Sequence, residues 1–324
     1  MSAVVTFGET MALLSSETHG PLQHSRSLAL GIGGAESNVA IALSRLGERV
    51  TWIGKVGEDP FGDLVLREIR AEGVDVVGVR EASAPTAFMV KERRTADETR
   101  IWYYRTGSAG SQLTIDEIDL DLVRQARLLH ITGISPALSP AMADLTDRLV
   151  RVARDAGVLV SLDLNYRGKL WSPEDARVVY RRLIPQSDIV FGGDDEVAIA
   201  LGGKGAGRDG AGREHTPLGL ARGLVDLGAS EAVVKLGALG AVAHVDGRDY
   251  TRAAVPIEPI DTVGAGDAFV AGYLLEYLRG EPVDSRLTTA VTVGAYACMV
   301  AGDWEGLPRL GELGGLAVTE PVRR

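Results

Sequence analysis

The chain has 324 residues, of which 45% are hydrophobic and 24% charged, with a formal net charge of -10. This length suits one large domain or a core with a smaller attachment, and the apolar fraction is enough for a sizeable core. The acidic balance, without any basic block, excludes nucleic acid as a main partner, and a lone cysteine, Cys298, excludes an internal disulfide framework or a cysteine metal cluster.

The start, MSAVVTFGET, lacks the basic and continuously apolar parts of a signal peptide, and no membrane-length apolar run follows. A cytoplasmic protein acting on small molecules, with neither membrane nor nucleic acid as partner, is expected. Val4 to Phe7 reads as a short buried strand ending at Gly8 and Glu9, and the irregular stretch to Leu30 as a hairpin away from the main sheet. GIGGAESNVA, Gly31 to Ala40, leads into a helix with Val39, Ile41, Ala42, Leu43 and Leu46 apolar and a stop at Gly47. Gly31 and Gly33 form a G-x-G, but Glu36 fills the third glycine position of a dinucleotide fingerprint and no clean strand precedes it, so that reading fails. A helix opening with Glu36, Ser37 and Asn38 instead offers hydrogen-bond donors and acceptors to a polyol, while Asn38 equally reads as a satisfied capping or core residue.

A strand from Val50 to Ile53 and a helix beginning near Pro60 complete a β-α unit. Residues 86–105 read as a β-hairpin turning at Thr95 to Glu98. Alternation along its second arm puts Tyr103 and Arg105 on one face and Trp102 and Tyr104 on the other. The first face suits a polar ligand bearing a carboxylate; the alternative is an ordinary half-exposed hairpin, and the apolar Trp102 and Tyr104 face suggests a homo-oligomer formed there.

From about residue 120 the pattern becomes regular. Strands from Leu128 to Thr132, Val158 to Leu162 and Asp188 to Phe191 alternate with helices from Ala141 to Ala156, Pro173 to Ile184 and Asp195 to Leu201. This predicts an α/β fold, a doubly wound and mainly parallel sheet with helices on both faces, where ligands collect at the carboxyl ends of strands. Those ends carry Gly133, Ile134 and Ser135, then DLNYRGKLW from Asp163 to Trp171, then GGDDE from Gly192 to Glu196. Arg167 and Lys169 could hold a carboxylate or a transferring phosphate, with Asp163 and Asn165 organising them; a solvated loop of paired charges is the competing account. The glycine-rich stretch 202–217 lacks phosphate-loop spacing and is expected to be a mobile surface insertion without catalytic work.

After a helix from Leu218 to Leu227, a strand ends at Lys235, and Gly237 and Gly240 suit a tight turn lying against a planar or phosphorylated ligand. A strand near Tyr250 to Val255 delivers the chain to DTVGAGD, Asp261 to Asp267. Helices from about Ala268 to Leu278 and Ser285 to Val300 follow, with Cys298 expected in the core. Gly264 and Gly266 let the backbone approach a ligand closely, and a helix start there presents unpaired N–H groups to an anion. Asp267 on the rim of that nest is either a proton acceptor for a hydroxyl beside a phosphate or simply an N-cap.

GGAESNVA with Gly47 and Gly57, and DTVGAGDAFVAGYL from Asp261 to Leu274, resemble the two signatures of the ribokinase or PfkB family of carbohydrate kinases, and the likeness covers nearly the whole chain. It implies a single ribokinase-like domain over 1–324 with a small β-sheet lid inserted at about 10–31 and 86–106. It further implies transfer of the γ-phosphoryl group of ATP, with Mg²⁺ on the phosphates, to a sugar or nucleoside hydroxyl. Asp267 corresponds to the base, and Gly264, Ala265 and Gly266 to the anion hole. Asn165, Lys235, Gly237 and Gly240, with Gly264 and Gly266, fall on the nucleotide side.

Where the family often has N-x-x-E, this chain has Gly193, Asp194, Asp195 and Glu196, so Glu196 keeps only an indirect metal role and Asp194 or Asp195 could compensate through water. The Asp261 and Val263 region resembles the monovalent-cation loop of some relatives, which implies a possible K⁺ site at Asp261. Within the family, GGAE, WYYRTGSAGS, HITGISPALS and DLNYRGKLW resemble the 2-keto-3-deoxygluconate kinases. That likeness implies an acid sugar held by Gly34, Asn38, Tyr103, Arg105, Ile134 and Arg167 and phosphorylated to 2-keto-3-deoxy-6-phosphogluconate. A fructokinase-like neutral-sugar kinase and a non-catalytic sugar or nucleotide sensor are the alternatives.

Overall fold

Short apolar runs bounded by polar turns make the central strands, because a strand covered on both faces has no polar side to show. The computed structural model describes residues 2–95, 98–203 and 216–317; residues 204–215 of the glycine-rich stretch and 96–97 of the hairpin turn lie outside the described residues. In chain order come β1 (Val4–Phe7), β2 (Met11–Ser15), β3 (Ala29–Gly33), α1 (Ala35–Arg45), β4 (Val50–Gly57), α2 (Pro60–Ala71) and β5 (Asp75–Glu81). The hairpin β6 (Phe88–Arg93) and β7 (Thr99–Tyr104) leads through α3 (Leu120–Arg124) to β8 (Leu128–Thr132), α4 (Ile134–Leu138) and α5 (Pro140–Asp155). Next are β9 (Leu159–Asp163), α6 (Pro173–Leu183), β10 (Ile189–Gly193), α7 (Asp194–Ala200) and α8 (Pro217–Asp226). The last elements are β11 (Glu231–Lys235), β12 (Ala241–Val245), β13 (Arg248–Arg252), α9 (Ala265–Leu278) and α10 (Val283–Cys298).

The main sheet runs β13-β12-β11-β10-β9-β8-β1-β4-β5. Its strands are parallel from β5 to β11, and β12 and β13 are antiparallel. One face packs against α1, α2, α9 and α10, the other against α5, α6, α7 and α8. The expected doubly wound arrangement is present. Being enclosed by the sheet, α1 and α10, helix α9 is apolar nearly all round, and Gly272 lets it approach α10 so closely that a Cβ there would lie 2.9 Å from the Ala290 Cα.

A second sheet, β3-β2-β6-β7, is antiparallel except for its β2–β6 pair and fits the expected lid. Met11, Leu13, Ala87 and Met89 form its own small core. The stretch up to Leu30, expected as a hairpin away from the main sheet, supplies β2 and the start of β3, which pair antiparallel in this second sheet. β4 extends past Ile53 to Gly57, and β5, α3 and α4 had no expectation behind them. α9 begins at Ala265, earlier than the expected Ala268, and β13 begins at Arg248. Cys298 is only half-buried at the end of α10. No helix among the described residues is long and apolar enough to cross a membrane.

Candidate active site

The 261–267 turn is shaped by one backbone requirement. Gly264 adopts φ 77°, and a Cβ there would lie 1.9 Å from the Asp303 carbonyl oxygen, so glycine alone fits. Gly264 is the N-cap of α9, which makes Asp267 part of the first helical turn and removes its N-cap reading. The N–H groups of Gly266 and Asp267 have no partner within the helix and point out of its positive end. The Ala265 N–H leans back to the Thr262 carbonyl at 3.3 Å.

Asp267 is 7% exposed. One carboxylate oxygen accepts from Asn38 Nδ2 at 2.8 Å, and the other from Asn165 Nδ2 at 3.4 Å. Burial pushes its pKa up to about 7; the nearby charge of Asp163 acts in the same direction, while the Asn38 hydrogen bond and the charges of Arg167 and Lys235 oppose. A carboxylate so placed is matched to accepting a proton near neutral pH.

Lys235 ends β11 and Asp163 ends β9, on either side of β10. The Lys235 ammonium bridges both Asp163 oxygens at 2.8 and 2.7 Å. Burial works against that ammonium, yet Asp163 and then Glu196 hold its pKa above the ordinary lysine value. A Cβ on Gly266 would lie 3.5 Å from the Lys235 Nζ, so a fixed cation stands beside the helix start. Asn165 is a left-handed residue, φ 42°, uncommon outside glycine and here placing its amide between Asp163 and Asp267. Glu196 accepts from the backbone N–H groups of Gly193 and Tyr166, fastening the loop after β9.

Two cavities meet at this turn. One of about 540 Å³ has Gly237 and Gly240 on one wall, apolar Val255, Ile257 and Val291 on others, and Lys235, Ala265 and Gly266 at its end. Gly240, φ 101°, lies so close to the 252–254 backbone that a Cβ would meet the Arg252 carbonyl oxygen at 2.0 Å. Cys298, expected in the core, lines this cavity instead. The other, about 80 Å³, has a mixed polar and apolar lining and collects Gly34, Asn38, Tyr103, Arg105, Ile134, Arg167, Gly264 and Asp267, with Asp303 beside them. Every residue expected around the acceptor therefore lines one cleft.

Asn165, Glu196 and Asp261 line neither cavity. A larger open groove of about 830 Å³ runs past Asp59, Phe61 and Tyr104 and shares Tyr103 and Arg105 with the smaller cleft, but neither Asp267, Lys235 nor the 261–267 turn lines it. Arg105 donates through Nε to Glu9 at 2.7 Å, which shares its charge. Lys169 donates to the Ile101 carbonyl at 2.9 Å and, like Arg105, lies near the Tyr103 ring, so the loop after β9 touches the edge strand of the lid. The sequence assigns no role to Glu9, and Glu36, expected with Ser37 and Asn38 to offer hydrogen-bonding groups to a polyol, turns instead to buried hydroxyls. Glu36 is 1% exposed and accepts from the Thr132 and Ser135 hydroxyls at 2.6 and 2.9 Å, and its burial raises its pKa. Among the described residues no group of three or more His, Cys, Asp or Glu is placed to hold a metal ion.

The pfkB family carbohydrate kinase pattern matches residues 1–309. The chain is 36% identical over 309 residues to the 2-dehydro-3-deoxygluconokinase of Bacillus subtilis, spanning 94% of this chain and 92% of that protein. It is 34% identical over 301 residues to the 2-dehydro-3-deoxygalactonokinase of Haloferax volcanii, spanning 93% and 92%. The crystal structure of 2-dehydro-3-deoxygluconokinase from Thermotoga maritima aligns with a TM-score of 0.88 at 26% identity, over 98% of this chain and 99% of that one. The two-signature likeness, the doubly wound sheet with its small lid and these relatives agree: the chain belongs to the pfkB family of carbohydrate kinases and is a sugar kinase.

Proposed function

We propose that the protein transfers the γ-phosphoryl group of ATP to the terminal hydroxyl of 2-keto-3-deoxygluconate, the sugar acid also called 2-dehydro-3-deoxygluconate, giving 2-keto-3-deoxy-6-phosphogluconate. The observation that carries this reading is a buried Asp267, its pKa raised to about 7, in the same cleft as Arg105 and Arg167 and at the start of a helix that borders the second cavity. Asp267 accepts the hydroxyl proton, and Asn38 fixes the carboxylate that receives it. The Gly266 and Asp267 N–H groups and the helix end stabilise negative charge in front of the turn, with Lys235 held in place by Asp163.

The cavity of about 540 Å³ fits a nucleotide: glycines and apolar side chains for a base, with a lysine and a helix start for phosphates. When bound, ATP supplies the phosphoryl group and Mg²⁺ neutralises phosphate charge. A magnesium ion at such a site is carried mainly by phosphates and water, and Glu196, with both oxygens on backbone N–H groups, would act on it only indirectly. The Asp261 carboxylate, expected to hold K⁺, is already paired with Lys91. A cytoplasmic homo-oligomer formed through the lid belongs to the same reading, supported by the exposure of Leu30, Trp102 and Tyr104 on the small sheet.

The sharing of Arg105 with Glu9 favours a second reading, a neutral-sugar kinase resembling a fructokinase, because part of the cationic charge in the cleft is already spent. A coupled assay with ATP and Mg²⁺ over 2-keto-3-deoxygluconate, 2-keto-3-deoxygalactonate and fructose separates the two. The acid-sugar reading expects kcat/KM for a sugar acid to exceed that for fructose by about tenfold or more, the worth of a charge-assisted pair. Equal or better turnover of fructose overturns it.

A further inference from the structure

Lys91 lies on β6, in the small sheet, and its side chain is only 2% exposed. Its ammonium reaches the Asp261 carboxylate at 2.6 Å and the Asp303 carboxylate at 3.5 Å. Both acids are themselves nearly buried. Asp261 lines neither cavity, Asp303 stands on the edge of the acceptor cleft, and each is fastened to the turn in front of it. Asp261 accepts from the N–H of Val263 at 3.2 Å and of Gly302 at 3.2 Å. The Asp303 carbonyl is the group that a Cβ on Gly264 would strike, and its carboxylate lies where a Cβ on Gly33 of β3 would fall. The lid strand, the back of the 261–264 turn and the loop after α10 therefore converge on one ammonium.

Buried carboxylates facing each other need a cation between them, since their mutual repulsion in a low-dielectric setting has no water to screen it. Burial and the neighbouring charges of Glu305 and Asp261 already raise the pKa of Asp303 to about 6 against the pull of Lys91. Without that pull the niche would hold acids with no counter-ion directly behind the turn that presents the Gly266 and Asp267 N–H groups.

We propose that Lys91 is a positioning residue for the 264–267 turn: its ammonium, delivered by the lid, is the permanent cation of the Asp261–Asp303 niche, and turnover needs no added monovalent cation. The inference rests on the reading of that turn as the anion-holding part of a sugar kinase. Lys91 touches neither reacting group; it acts by holding Asp261 and Asp303, and through them the backbone from Val263 to Gly264, in one arrangement. It also ties that arrangement to the position of the small sheet, so an acceptor cleft closed by the lid and a correctly formed turn occur together.

Chemical rescue of the full chain tests it. Lys91→Met is compared with the parent at fixed ionic strength in tetramethylammonium chloride, a cation too large for the niche, and then in potassium or ammonium chloride. The expected result is a kcat about 10-fold or more below the parent in tetramethylammonium with KM for the sugar acid within about 3-fold, since the loss is in positioning rather than acceptor binding. Potassium or ammonium should restore kcat by about 5-fold or more, while Lys91→Met/Asp261→Asn, whose niche has lost an acid, should not respond.

Melting temperatures in the same salts read the niche without turnover: Lys91→Met should be stabilised by potassium or ammonium relative to tetramethylammonium, and the parent should not. A rescued melting temperature in a chain that phosphorylates no sugar would separate failure of the kinase reading from failure of this one. Unchanged kcat in Lys91→Met overturns the proposal, as does a loss that neither salt rescues in rate or melting, which would mark Lys91 as a simple structural tie. If Lys91→Met does not fold, the parent decides: equal turnover and melting in the three salts support the built-in cation, and stimulation by potassium of about 3-fold or more overturns it.

Discussion

Asp267 is a carboxyl held by Asn38 and Asn165 in a site that excludes most water, and its chemistry should be visible as a pH dependence. With a pKa near 7, kcat/KM should climb as pH rises toward that value and level off above it. Asp267→Asn should lose roughly 10²–10⁴-fold in kcat, the range for a positioned general base, while sugar binding by calorimetry stays close to the parent. A variant with near-normal kcat would remove Asp267 from the role. Stability gives an independent check on the same group. A carboxyl whose folded pKa is raised holds its proton longer in the folded chain than in the unfolded one, so its contribution declines as pH rises from the ordinary carboxylate value of 3.8 toward 7. The melting temperature of Asp267→Asn relative to the parent should therefore be higher at pH 8 than at pH 4.

At the level of elements, the turn and helix form one device whose shape depends on Gly264. Gly264→Ala places a side chain at φ 77° against the Asp303 carbonyl, where even a methyl group cannot fit without moving the loop after α10. Urea unfolding should report a loss of about 1–3 kcal/mol or more from the strained backbone alone, and kcat should fall with it because the N–H groups in front of the turn move. Retention of both would mean that the turn is not the rigid cradle described.

Many element boundaries were legible because local chemistry writes them. Asp59, Ser139, Ser172 and Thr216 each cap a helix whose first residue is proline, and their side chains accept from the first turn. The start of α9 was misjudged because its cap is a left-handed glycine with no side chain to announce it. β5 escaped notice because it is an edge strand, with Asp75, Arg80 and Glu81 breaking the apolar pattern.

In the whole molecule, the site is assembled from segments that sequence keeps far apart. Asn38 and Asp267 are separated by 229 positions, Lys91 and Asp261 by 170, and Arg105 and Glu9 by 96. The acceptor residues could be named by likeness to a family, and they do line one cleft. Their pairings could not, since no local pattern tells which buried acid will meet which cation. For that reason Asp163 was readable as a charged loop residue but not as the partner of Lys235, and Asp261 as a cation ligand but not as one whose cation is covalently part of the lid.

The half-buried Cys298 on the wall of the cavity of about 540 Å³ has a practical outcome at this scale. It is the chain's sole cysteine, and burial, with the charge of Asp261 behind it, raises its thiol pKa. Alkylation should therefore be slow, and governed by access through the cavity mouth. Intact-mass spectrometry after maleimide treatment should show single labelling that a non-hydrolysable ATP analogue slows markedly and a sugar acid alone does not; equal protection by both would place the nucleotide elsewhere. The molecule thus carries its own occupancy gauge, one that distinguishes donor from acceptor loading in a resting enzyme.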